Sequence, residues 1–134
     1  MRFPGFRRRC SGLEVGTLEL DVMNRLWADG ELDARGVLAR LTRRTITLST
    51  VQATLERLHR KGLVTRTKVG RAYSYRAAVT RERLIALLIE DLAERIADGE
   101  LEPVISGFVE LIGETDPALL GALEHRVKRR RERE

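Results

Sequence analysis

Thr47-Leu48-Ser49-Thr50-Val51-Gln52-Ala53-Thr54-Leu55-Glu56-Arg57-Leu58-His59-Arg60-Lys61-Gly62-Leu63-Val64 is the stretch on which the reading of this chain turns. Thr47 is placed to cap a helix that runs from Leu48 to Lys61, and Gly62 supplies its stop. At about 100° per residue, Val51, Leu55 and Leu58 lie within a narrow arc and form the buried stripe. Ser49, Thr50, Gln52, Ala53 and Arg57 then point outward or sideways. The outer surface is slim and polar near its N-terminal end and basic near its C-terminal end, where Arg57, Arg60 and Lys61 stand. A helix that enters a major groove needs these properties: small side chains where backbones approach, an amide that reads base edges, and cations close to phosphates.

Working outward, Leu63 to Lys68 and Ala72 to Arg76 carry the Thr, Val and Tyr content of strands, and the turn Val69-Gly70-Arg71 places a glycine where a tight hairpin demands positive φ. Upstream, Thr17 is a cap candidate for a helix with Leu18, Val22 and Leu26 on one stripe, Met23 and Trp27 beside it, and a stop at Gly30. Trp27 reads as core. Asp33 caps a second helix with Ala34, Val37, Leu38 and Leu41 at i, i+3, i+4 and i+7. Gly36 inside it costs about 1 kcal/mol relative to Ala, so this helix depends on tertiary packing. Three helices followed by a hairpin with Lys68 and Arg71 at its tip spell a winged helix-turn-helix, with the tip reaching the backbone or minor groove beside the recognition helix.

Downstream, Thr80 to Ala97 places Ile85, Ile89, Leu92 and Ile96 on one stripe with Leu84, Leu87 and Leu88 beside it, an arc too broad for a single neighbour. Pro103 opens the next helix, with Ile105, Phe108, Val109 and Ile112 as its stripe. Asp116 and Pro117 start a last one, with Leu120, Leu123 and Val127 facing inward. The surplus apolar surface fits burial on a second copy. The expected fold class is therefore mainly α with a small β-hairpin. Residues 1–12 form a disordered basic arm, 13–78 the winged-helix DNA-binding domain, 79–127 a helical dimerisation domain and 128–134 a basic tail.

Charge follows the same division. The chain of 134 residues carries a net +5, but from Arg35 to Arg76 eleven Lys/Arg face one acid, Glu56, while from Arg81 to Asp116 ten acids face three bases. The basic block is the candidate polyanion contact. Other classes are disfavoured. No apolar run is long enough to span a bilayer, and the first residues lack the apolar region of a secretory signal, so a cytoplasmic protein with no membrane partner is expected. One cysteine, Cys10, and two histidines, His59 and His125, give neither an internal disulfide nor a metal set. No phosphate loop or nucleophile–base pair stands out, so neither catalysis nor a cofactor is expected.

These segments also resemble a known family. Leu18-Glu19-Leu20-Asp21-Val22-Met23 with Leu26-Trp27, then Ser49 to Val64, then Gly70-Arg71-Ala72-Tyr73-Ser74-Tyr75-Arg76, are similar to the penicillinase repressor (BlaI/MecI/CopY) family of winged-helix regulators. The resemblance covers about residues 13 to 127. It implies a homodimeric repressor on a palindromic double-stranded DNA operator, with Thr47 to Arg57 as the recognition segment and Lys68, Arg71 and Tyr73 in the wing. Two departures stand out. The paired Cys-x-Cys of copper-responsive members is missing, since Cys10 lies in the opposite tail. Members tied to β-lactam sensing are cut by a regulatory protease at an Asn-Phe bond, where this chain has Gly107-Phe108.

The expected DNA contacts are thus Arg43, Arg44, Thr47, Ser49, Thr50, Gln52, Ala53, Arg57, Arg60, Lys68, Arg71 and Tyr73. The expected dimer contacts are Leu84, Leu88, Ile89, Leu92, Ile105, Phe108, Val109, Ile112, Leu120 and Leu123. The competing function is a winged-helix module that meets an acidic protein and reads no DNA sequence.

Overall fold

The computed structural model describes residues 14–42 and 45–134. The N-terminal arm with Cys10, and Arg43 and Arg44, lie outside the described residues. The elements are α1 (Thr17–Asp29), β1 (Leu32–Asp33), α2 (Ala34–Arg40), α3 (Leu48–Arg60), β2 (Val64–Val69), β3 (Ala72–Ala77), α4 (Arg81–Ala97), α5 (Glu102–Thr115) and α6 (Ala118–Glu132). The three strands form an antiparallel sheet in the order β1-β3-β2, with Leu32 opposite Tyr75 and Arg66 opposite Tyr75 on the other side. This is a winged helix: three helices and a hairpin closed by a short extra strand.

Local chemistry explains most boundaries. Asp33 caps α2 by accepting from the Gly36 amide at 2.7 Å, and Thr47 caps α3 by accepting from Thr50 at 3.3 Å. Gly62, at φ +75°, ends α3, and Gly70, at φ +65°, takes the first of the two central positions between Val69 and Ala72. Thr17 does not cap α1. Gly16 holds that position without a side-chain bond, and Thr17 is the first helical residue. α6 continues through the basic residues 128–131 to Glu132. Arg, Lys and Glu are good helix formers, and cations suit the negative end of a helix.

Two compact units divide the chain, meeting within α4 between Leu88 and Ile89. In the first, Val22, Met23 and Leu26 of α1 pack with Val37 of α2, Val51, Leu55 and Leu58 of α3, Leu63, Val64 and Tyr75 of the sheet, and Leu84 of α4. The start of α4 is fastened to α1. The Trp27 indole Nε1 donates to the Val79 carbonyl at 2.9 Å, and the Arg81 guanidinium lies 5.0 Å from the Trp27 ring centroid. Trp27 is thus partly buried against the core, with its one donor satisfied. In the second unit α6 packs along α5, and few side chains are covered. Among the described residues from 89 onward only Ala93 and Ile112 are buried apolar residues. No described helix is long and apolar enough to cross a membrane.

Candidate nucleic-acid interface

The first unit presents α3 and the β2–β3 wing together. Leu55 and Leu58 are fully buried, as is Val51 one turn earlier, so the opposite face of α3 is fixed outward. Ser49, Thr50, Gln52 and Ala53 are exposed on it, as expected. The hydroxyls of Thr47, Ser49 and Thr50 form a small network at the helix start, Thr47 to Ser49 at 3.2 Å and Thr47 to Thr50 at 3.0 Å. The Gln52 amide has no hydrogen-bond partner among the described residues, which leaves its donor and acceptor pair available. Thr54, one turn on, turns inward instead: it is fully buried and its hydroxyl donates to the Thr50 carbonyl at 2.8 Å.

The cations of the basic block separate into two groups. Arg40 pairs with Asp29 at 3.3 Å, Lys61 with Glu19 at 2.7 Å, and Arg66 with Glu56. Arg57 places Nε 3.9 Å from Glu19 and donates through Nη2 to Thr54 at 3.1 Å. These four are tied inside the unit. Arg35, Arg60, Lys68, Arg71 and Arg76 are exposed and have no ion-pair partner among the described residues. Lys68 and Arg71 flank the wing tip, where Val69 is 64% exposed. Arg57 therefore has only part of its guanidinium to offer, whereas Arg60 and Arg71 offer the whole of theirs and Lys68 its whole ammonium group.

The sequence assigns no partner to Glu19, Glu56 or Arg66. Glu19 is buried on α1 and receives Lys61, which also donates to the Glu14 carbonyl, so the far end of α3 is anchored to α1. Arg66, on β2, links three elements. It pairs with Glu56 of α3, and its guanidinium lies 4.3 Å from the Tyr73 ring centroid. Tyr73 in turn sits 6.2 Å from the ring of Tyr75 on the same strand. Partial burial opposes the Arg66 charge, but the Tyr75 hydroxyl, Glu56 and Tyr73 outweigh it and hold its pKa above the ordinary value. The guanidinium stays charged wherever the protein is folded. Tyr73, half presented to solvent at 38%, packs over this cation as well as lining the wing. The one signal in the sequence was that Glu56 is the only acid between Arg35 and Arg76.

The expected dimer contacts fall in both units. Leu84 is 2% exposed in the core of the first unit, and Leu88 packs against that core. Ile89, Leu92, Ile105, Phe108 and Val109 are between 37% and 58% exposed. Ile112 is buried, and Leu120 and Leu123 are half-buried. Gly107-Phe108 lies in the middle of α5, a regular helix.

The chain is similar to several known proteins. The profile of the family described as penicillinase repressor matches residues 15–129. The transcriptional regulator BlaI of Mycobacterium tuberculosis is 34% identical over 102 residues, covering 74% of each chain. The penicillinase repressor of Bacillus licheniformis is 27% identical over 123 residues, covering 89% of this chain and 96% of its own. Among solved structures, the DNA binding domain of the repressor BlaI is similar at 28% identity and a TM-score of 0.46, over 51% of this chain and 84% of that one. A MarR family protein from Bacillus stearothermophilus is similar at 20% identity and a TM-score of 0.45, over 79% and 76%. With the matched region running from the first helix through the last, the chain belongs to the penicillinase repressor family of winged-helix transcriptional regulators.

Proposed function

We propose that this protein is a repressor that binds one palindromic double-stranded DNA operator as a homodimer in the cytoplasm. In this reading α3 enters the major groove and the wing tip lies on the neighbouring backbone. The observation that carries it is the outer face of α3, where Ser49, Thr50, Gln52 and Ala53 stand exposed, in one unit with Arg60, Lys68 and Arg71; among the described residues Gln52 has no hydrogen-bond partner and these cations no ion-pair partner. Gln52 suits bidentate contact with an adenine edge, and the cations suit phosphates. The direction of control, repression, follows the relatives' names.

Dimerisation is supported by the apolar side chains left uncovered beyond residue 88. Ile89, Leu92, Ile96, Ile105, Phe108 and Val109 are between 37% and 77% exposed, a run of large apolar side chains of the kind that association covers. A second copy covers such faces by two-fold symmetry and couples two half-sites. The helical state of Gly107-Phe108 means that a regulatory protease acting there must first unwind part of α5.

Selection of bound duplexes from a random pool tests the reading. Enrichment of one inverted repeat, held by two protomers per duplex, is the expected result. A pool without an enriched sequence rules the reading out and favours the protein-interaction module. Gln52→Ala is expected to relax base preference at one position of each half-site. Uniformly weaker binding with unaltered preference removes Gln52 from the base readers.

A further inference from the structure

Beyond α3 and the wing, the second unit carries a separate cationic surface. Because α6 stays helical to Glu132, Arg126, Arg129, Arg130 and Arg133 are stacked at i, i+3, i+4 and i+7 on one face, with His125 at its margin. All five are exposed, and none has an ion-pair partner among the described residues, although Glu124 and Glu132 belong to the same helix. The half-buried Leu120 and Leu123, with Val127, occupy a stripe about a quarter turn from the centre of that face at about 100° per residue, with Leu123 next to Arg130. Covering that stripe leaves Arg126, Arg129 and Arg133 facing outward, with Arg130 at its border.

Like charges at these spacings repel, by about 0.2–0.5 kcal/mol for each pair. The helix C-terminus compensates only for cations in its last turn, and Arg126 lies beyond that reach. The ridge is also made of arginine throughout. A guanidinium presents a planar fork that matches two oxygens of one phosphate, which an ammonium does not. We propose that this ridge is a second, sequence-independent contact for the phosphate backbone of duplex DNA, distinct from α3 and the wing. The inference rests on the DNA-binding reading only in taking duplex DNA as the polyanion.

The test uses the full chain and its quadruple variant R126Q/R129Q/R130Q/R133Q, which keeps good helix formers at all four positions. Binding to a random-sequence duplex of about 40 base pairs is measured across a salt series, with log K falling by about 0.9 per phosphate neutralised. The variant is expected to lower that slope by at least one unit while sedimentation gives the wild-type oligomeric state. K68A/R71A, which alters only the wing, is expected to lower the slope by a further, additive amount. An unchanged slope in the quadruple variant overturns the proposal. So does a change of oligomeric state, which makes the ridge a contact between copies. Retention of wild type but not variant on polyglutamate, with equal slopes on DNA, overturns it in favour of a carboxylate partner. Failure of the operator selection leaves these outcomes readable, because no operator is used.

Discussion

Leu26 and Ile96 both sit on the apolar stripe of a multi-turn helix, yet Leu26 is 2% exposed and Ile96 is 77%. The contrast holds for the regions around them. Among the described residues, eleven of the thirteen buried apolar residues belong to the cluster that closes the winged unit, while nine of the twelve exposed large apolar side chains lie from Ile89 onward. Both regions are helical, so the difference lies in what covers the stripes. In the winged unit each stripe meets another element of the same chain. Beyond Leu88 the stripes extend past any cover the described residues provide. A protein that leaves this much apolar surface open uses it for association.

The largest expected effect tests that reading on the open side. Leu92→Glu combined with Phe108→Glu places two carboxylates on faces that are 45% and 49% exposed, so the fold of a protomer should survive. Sedimentation should report a monomer, and operator affinity should fall by roughly 10²–10⁴-fold, the range by which linked sites exceed single ones. A dimer retained at unaltered affinity moves the interface elsewhere.

On the closed side, Leu55→Ala removes a side chain with no exposure from the centre of the core. We expect a loss of about 2–5 kcal/mol in unfolding free energy, measured by denaturant titration. Ile96→Ala, at 77% exposure, should change the stability of the monomeric Leu92→Glu/Phe108→Glu background by less than about 0.5 kcal/mol. Equal losses at the two positions would erase the distinction between the regions.

What sequence could reveal follows the same contrast. α3 was legible because its signals are local: the Thr47 cap, the Val51, Leu55 and Leu58 stripe and the Gly62 stop all lie within sixteen residues. β1 was not, since Leu32 and Asp33 form a strand only by pairing with Tyr75 and Ser74, some forty residues on. Leu84 sits in the same helix as the open-side residues, and only the folded arrangement turns it into the winged core. The pairings of Glu19 with Lys61 and Glu56 with Arg66 were equally silent, because opposite charges far apart in a charge-rich chain announce no contact. Their effect is to shrink the basic block. Of its nine described cations four are tied within the winged unit, so the excess of positive charge overstates what is available to a polyanion.

That distinction between tied and free cations yields the smallest effect and the finest test. Arg71 is exposed at the wing tip without an ion-pair partner, so Arg71→Ala should weaken binding to every sequence and reduce the salt slope by about one unit. Arg66 is equally cationic but engaged with Glu56 and the Tyr73 ring, and its side chain is only 25% exposed. Arg66→Met should leave the slope unchanged. It should lower operator affinity by no more than about a few-fold, as the link between α3 and the wing loosens, in line with a partly exposed ion pair and one cation–π contact. Salt series for both variants on one operator decide the matter. If Arg66→Met lowers the slope as much as Arg71→Ala does, Arg66 meets phosphate directly, and the division of the basic block into tied and free cations does not hold in the complex.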